Sequence, residues 1–391
     1  MPPPPRPARR RCAARRAARD PRPPARRDSR CGSVLRQRGA LHASPAGNVP
    51  RGARSQTRPV TRGRAAGGRN GQPRLHHAAR RRTPGGRRAG DPGRSPRGTA
   101  RRLLRGRRSV RVNTRRLRTA DGVELALHRL RAHRDGRAAA LLVHGAFSSH
   151  TVWLQAGGGL AHYLGERGVD VWLADQRHHG GSAREPRPFT WRFEDLILDD
   201  APALVARVME ETDGAPLVWL GHSAGGAVGL AWLARLGRAT PLAAMVTFGT
   251  PGPSHMRLAR RALALSTIGI CRALGRFPAR ALRMGPEDET ALVLGDWMGW
   301  NTRGRWVGRD GFDYLAALAA VRTPYLGVAG EGDRLFAPAD ACRQVLGAVG
   351  AARKAFAVVP NLDHRGMLID PRARTHCWPR VTDWLEETLR T

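Results

Sequence analysis

The first 110 residues contain no phenylalanine, tryptophan or tyrosine, no lysine, and only three acids, Asp20, Asp28 and Asp91. A stretch so poor in large apolar side chains cannot bury enough surface to offset its ordering entropy, which excludes a compact N-terminal domain. It holds 32 arginines, so +29 of the formal net charge of +37 lies there and +8 is left for residues 111–391. The charge therefore does not describe the whole chain, and it excludes reading the whole protein as a nucleic-acid binder. Without aromatic platforms for base stacking, specific single-strand recognition by this leader is not expected either.

Other scarcities narrow the class further. The five cysteines, Cys12, Cys31, Cys271, Cys342 and Cys377, form no C-x-x-C pair and no metal-ligand spacing. An odd, scattered set in a chain with a sizeable core excludes a disulfide framework and reads as buried thiols. No apolar run reaches the ~18 residues of a membrane helix. The N-terminus has no apolar stretch behind its positive charge, so no secretory signal is expected, and the expected compartment is the cytoplasm. One lysine, Lys354, stands against 67 arginines, and no methionine lies between Met1 and Met209. That is the mark of a GC-rich gene. The preferred reading of 1–110 is a start assigned too far upstream, with a true non-ATG start near Val110 or Val112. A disordered tail and a basic arm binding anionic surfaces are the other readings.

Residues 111–391 alternate strand-like and helix-like segments, the pattern of an α/β sheet covered on both faces. Strands are expected at 112–119 and 123–131, joined by the turn signal Asp121-Gly122, and at 138–143, 169–174, 216–220, 243–248, 324–329 and 355–359. Helices are expected at 152–167, 193–211, 228–236, 338–349 and 374–389, the first interrupted by Gly157-Gly158-Gly159. Residues 253–320 break the rhythm with a mostly helical segment carrying Trp297, Met298, Trp300 and Trp306.

The chemistry sits at strand ends. Gly221-His222-Ser223-Ala224-Gly225 places a serine between a strand and a helix, with glycines two before and two after to let the backbones cross closely. The motif alone is weak in a glycine-rich chain; its strand-to-helix setting adds the weight. A serine needs a base, and the base needs an acid to orient it. Asp333, in Gly330-Glu331-Gly332-Asp333, follows the strand at 324–329, and His364 follows the strand at 355–359. Glu331 and Asp363 are alternative acids. The oxyanion donors are expected at the Ala224 amide and in the loop His144-Gly145-Ala146-Phe147, with Ala146 preferred, Phe147 possible, and the Phe147 side chain in the pocket. His144, His178, His179 and His222 are expected to be structural. This chemistry needs no metal and no organic cofactor.

Together Leu142-Val143-His144-Gly145, Asp175-Gln176-Arg177-His178-His179-Gly180-Gly181-Ser182, the serine motif, Gly330-Glu331-Gly332-Asp333 and Asp363-His364 span almost the whole of 111–391. This region resembles the α/β-hydrolase-fold serine hydrolases of the lipase/esterase-like kind. It departs mildly at Arg177-His178-His179-Gly180, where family members often carry Arg-Gly-His-Gly. The resemblance implies an α/β fold with a mostly parallel central sheet and helices on both faces. It implies Ser223 as nucleophile, Asp333 as acid and His364 as base. It also implies a helical cap at about 253–320, inserted between core strands six and seven, with Leu263, Leu265, Ile268, Trp297 and Trp300 lining an acyl pocket. The expected function is hydrolysis of a small-molecule carboxylic ester with an apolar acyl group, through an acyl-enzyme. Thioester hydrolysis or acyl transfer uses the same residues. The rival class is a non-catalytic hydrolase scaffold whose basic arm binds nucleic acid.

Overall fold

The computed structural model describes residues 112–390 except 133–135, 156–157, 183, 185–188 and 254–257, and for 258–260 the backbone alone. The expected basic leader, 1–110, lies outside the described residues, as do Cys12 and Cys31.

Ten strands are present among the described residues: β1 (Val112–Arg118), β2 (Glu124–Leu130), β3 (Ala138–Val143), β4 (Val169–Asp175), β5 (Leu217–His222), β6 (Leu242–Phe248), β7 (Arg276–Phe277), β8 (Glu289–Thr290), β9 (Tyr325–Gly330) and β10 (Lys354–Val359). Eight of them form one sheet in the order β1-β2-β4-β3-β5-β6-β9-β10, and β7 and β8 form a short ladder of their own. β1 with β2 and β2 with β4 pair antiparallel; from β4 to β10 every pairing is parallel.

The central strands are apolar on both faces because both faces are covered. In β3 the side chains of Ala139, Leu141 and Val143 enter one core, while Ala140 and Leu142 enter the other, the two-residue period of a strand read from both sides. The first core packs against helices Ala201–Glu210 and Ala224–Leu236, the second against Leu160–Gly165 and Trp378–Arg390. β4 lies on one side of β3 and β5 on the other. Such a reversal opens a crevice at the carboxyl ends of the strands, where open α/β sheets place their sites.

The structure corrects the expected helix over 152–167. The chain instead forms a 3-10 turn, His150–Trp153, and a short helix, Leu160–Gly165. Gly158 lies between them at φ 103, outside helical space, so the run of glycines wins over the apolar periodicity. The helical stretch expected over 193–211 is continuous but changes register: Phe193–Asp195 is α-helical, Leu196–Asp200 a π-helical turn, and Ala201–Glu210 α-helical again. Between β6 and β9 the chain forms helix Leu258–Leu274, the β7–β8 ladder, helix Ala291–Arg303 and the short helix Tyr314–Ala317. Thr290 caps the second helix by accepting the Leu292 N–H at 3.1 Å, and Gly304 ends it in a left-handed conformation.

Candidate active site

Ser223 joins β5 directly to helix Ala224–Leu236 and holds φ 50, ψ −116. A non-glycine residue there is strained by an amount of order 1–3 kcal/mol, and such strain persists only where the surroundings over-determine it. Here its amide donates to Phe248 O at 2.8 Å and its carbonyl accepts from Thr250 Oγ1 at 3.0 Å. The crossing is too close for side chains: a Cβ at Gly225 would lie 2.3 Å from the Val143 carbonyl oxygen. The helix thus begins against the end of β3, and the Ala224 N–H, the first of the helix, has no intrahelical acceptor.

The loop after β3 closes on the serine from the other side. A Cβ at Gly145 would lie 3.0 Å from Ser223 Cβ and 2.9 Å from His222 Nδ1. Phe147, at φ 64, turns the loop so that both Ala146 and Phe147 face the pocket that Ser223 and Ala224 line.

The loops after β9 and β10 lock together, with Glu331 N donating to Val359 O at 3.0 Å and Gly332 N to Leu362 O at 2.8 Å. They bring Asp333 Oδ2 to 2.5 Å from His364 Nδ1. Of the three candidate acids, this is the carboxylate that meets the histidine. Glu331 instead accepts the Asn361 N–H at 3.2 Å, and Asp363 accepts the Gly366 N–H at 2.6 Å. Burial acts to raise the Asp333 pKa, but the hydrogen bond and charge of His364, with the Phe336 and Ala337 amides, outweigh it and hold the carboxyl below the ordinary range. Asp333 is therefore ionised at neutral pH and fixes the proton of His364 on Nδ1, leaving Nε2 as the basic nitrogen.

Ser223 Oγ and His364 are not hydrogen-bonded to each other here. The residue before Ser223 makes the contact instead: His222 Nε2 lies 3.0 Å from His364 O, and the His222 and His364 rings are 4.7 Å apart. Catalytic hydrogen bonds are often long without substrate and tighten on binding. Burial and the nearby His364 push His222 down to about 3, and burial with His179 pushes His144 down to about 4. Both stay neutral at physiological pH.

Beside Ser223 a partly open pocket with a cavity volume of about 130 Å³ runs between the sheet edge and helix Ala291–Arg303. Phe147, Trp297 and Trp300 all line it, with Met298 and Phe336, which sequence reasoning did not assign to it. Leu263 and Leu265 do not: they are 68% and 59% exposed on helix Leu258–Leu274. Ile268 is buried but lies outside the pocket lining. An apolar stripe on one helix carries no information about which face meets the pocket and which meets solvent, so the expectation failed for these three.

Among the described residues, the donor atoms of His128, His150 and Asp175 lie within 4.8 Å of one another, close enough to hold a metal. Here Asp175 Oδ2 faces His128 Nε2 at 2.9 Å and His150 Nδ1 at 2.8 Å, and also accepts the Gly181 N–H at 2.7 Å. These bonds hold the strongly depressed Asp175 carboxylate against the cost of its burial and tie the loops after β3 and β4 together. Among the described residues no helix is long and apolar enough to cross a membrane.

A family model described as the alpha/beta hydrolase family matches residues 140–375, more than half of the chain. Mouse Lipase member N is 29% identical over 126 residues, which cover 28% of this chain and 32% of that protein. The chain thus matches about a third of the length of this curated relative. Among solved structures, monoglyceride lipase from Saccharomyces cerevisiae, in complex with a substrate analogue, is similar with a TM-score of 0.56 at 15% identity, covering 72% of this chain and 98% of that one. DcsB, also in complex with a substrate analogue, is similar with a TM-score of 0.56 at 15% identity, covering 72% of this chain and 100% of that one. At such identities the likeness establishes the fold.

Proposed function

Since the chain belongs to the alpha/beta hydrolase family, we propose that it hydrolyses carboxylic esters through Ser223, His364 and Asp333 with an acyl-enzyme intermediate. The observation that carries this reading is the 2.5 Å pairing of His364 Nδ1 with an ionised, buried Asp333, on the sheet edge where Ser223 stands strained beside the pocket. Ser223 Oγ attacks the ester carbonyl carbon as His364 Nε2 takes its proton. Asp333 stabilises the imidazolium, and the Ala224 and Ala146 amides hold the oxyanion. His364 then protonates the departing alcohol. Water, deprotonated by the same nitrogen, attacks the acyl-enzyme and releases the acid.

The segment between β6 and β9 acts as a cap in this reading, its helix Ala291–Arg303 walling the pocket. The names of the lipase relatives support an ester as the substrate class, and the apolar lining supports an apolar acyl group. Three unpaired, buried cysteines, Cys271, Cys342 and Cys377, support a reducing, cytoplasmic compartment.

The test is turnover of p-nitrophenyl esters from acetyl to palmitoyl by the full chain and by Ser223→Ala. The reading expects hydrolysis that falls by a factor on the order of 10⁴–10⁶ in the variant. Equal rates in the two proteins would contradict it. Turnover of thioesters alone, or acyl transfer to an added alcohol in preference to water, would move the same residues to the sister chemistry.

A further inference from the structure

The pocket beside Ser223 has one ionisable side chain among its described lining residues, and ester hydrolysis as written above gives it no task. Glu289, the first residue of β8, is 3% exposed and lines the same pocket as Ser223. Its Oε1 accepts the N–H of Thr290 at 3.0 Å. Its Oε2 stands 3.5 Å from His179 Nε2, an ion-pair distance, yet that buried nitrogen has no hydrogen-bond partner. A carboxylate offers about four lone-pair sites and this one accepts a single hydrogen bond, so it retains accepting capacity.

Its position is held from two sides. Glu287, two residues earlier, donates its N–H to Phe147 O at 3.3 Å and accepts the Gly180 N–H at 3.0 Å. The His179 ring is fixed by its contact of 2.8 Å with Arg177 O. Burial acts to lower the His179 pKa, but the Glu289 carboxylate overcomes it and raises the pKa above the ordinary value. His179 already stands at ion-pair distance from Glu289, so the carboxylate has no call for a further cation. What Oε2 can still take is a neutral donor. An aliphatic substrate would leave that remaining accepting capacity unused in a buried site, where polar atoms without a donor cost free energy.

We propose that the pocket is built for an ester bearing a hydroxyl group on the part it encloses, with Glu289 accepting the hydroxyl hydrogen. His179 acts as a positioning residue that holds the carboxylate in place. The inference rests on the ester-hydrolase reading and names its substrate class. The hydroxyl can belong to the acyl chain or to the alcohol; the chemistry recognised is the same.

The experiment compares kcat/KM of the full chain for two matched pairs. One pair is p-nitrophenyl octanoate against p-nitrophenyl 8-hydroxyoctanoate. The other is propyl octanoate against glyceryl monooctanoate. In at least one pair the hydroxylated ester should be preferred by about 10- to 100-fold, the range of one hydrogen bond to a charged acceptor. In Glu289→Leu that preference should collapse toward one, and Glu289→Gln, which keeps a weaker acceptor, should retain part of it. No preference in either pair, or a preference that survives in Glu289→Leu, overturns the inference while leaving ester hydrolysis intact. The wild-type comparison decides even if the leucine variant does not fold. Failure of the wild type to turn over all four esters would instead overturn the hydrolase reading and the inference with it.

Discussion

The two walls of the pocket are built on different principles. The sheet edge puts Ser223 in the pocket lining and carries Asp333 and His364, which are outside that lining, on neighbouring loops; its backbones touch, and a Cβ at Gly225 or Gly330 would lie 2.3 or 2.4 Å from a neighbouring carbonyl oxygen. The opposite wall is made of side chains on helix Ala291–Arg303, and the helix before it leaves Leu263, Leu265, Ile270 and Leu274 more than half exposed. The first wall tolerates little change and, in the proposed reading, places the reactive atoms. The second can change residue by residue, and in this account it selects the substrate.

The sharpest way to break that contrast is at Asp333. Asp333→Asn keeps the shape but reverses the hydrogen bond that sets the His364 tautomer, and should lower kcat by about 10⁴. A loss below tenfold in steady-state kinetics would place the orienting group elsewhere. Next in size, Gly225→Ala should cost stability before it costs chemistry. Its new methyl meets the Val143 backbone, which cannot yield as a side chain can, and we expect a loss of at least about 3 kcal/mol in a denaturant melt. On the other wall, Trp297→Ala should fold normally and shift the ratio of kcat/KM for long over short acyl esters by about tenfold. An unchanged ratio would remove Trp297 from the substrate path.

The smallest expected effect is a pH dependence. The Asp333 pKa is depressed in the folded protein, so its stabilising contribution is fully present above the ordinary carboxylate value of 3.8 and fades as pH falls through the lowered one. The difference in Tm between wild type and Asp333→Asn should therefore hold steady from pH 7 to about 5 and narrow below about 4. A difference that widens with acid would mean that Asp333 is not ionised in the native state.

The same contrast explains what the sequence revealed. β3 was legible to its ends because a fully buried parallel strand is an uninterrupted apolar run, Ala138–Val143. Ser223, Asp333 and His364 stood out as candidates because each follows such a run, and because glycines mark the places where backbones cross. Asp333 was preferred over Glu331 and Asp363 from its loop position, and it is the carboxylate that lies 2.5 Å from the His364 ring, whereas Glu331, two residues earlier on the same loop, meets an amide. The broken helix at 152–167 was missed because periodicity outweighed Gly158, and Leu263 and Leu265 because a helix's apolar stripe does not say what it faces. Glu289 had no signal at all. It lies 110 residues from His179 in sequence, and its meaning comes from burial beside a pocket, a property of packing alone.

The account's central claim is that Ser223 is an activated nucleophile. The most direct measurement is labelling the full chain with a fluorophosphonate and locating the adduct by peptide mass spectrometry. The account predicts one stoichiometric adduct on Ser223, absent in Ser223→Ala and strongly slowed in His364→Ala. A folded protein that stays unlabelled, or that carries its adduct on another residue, would contradict it.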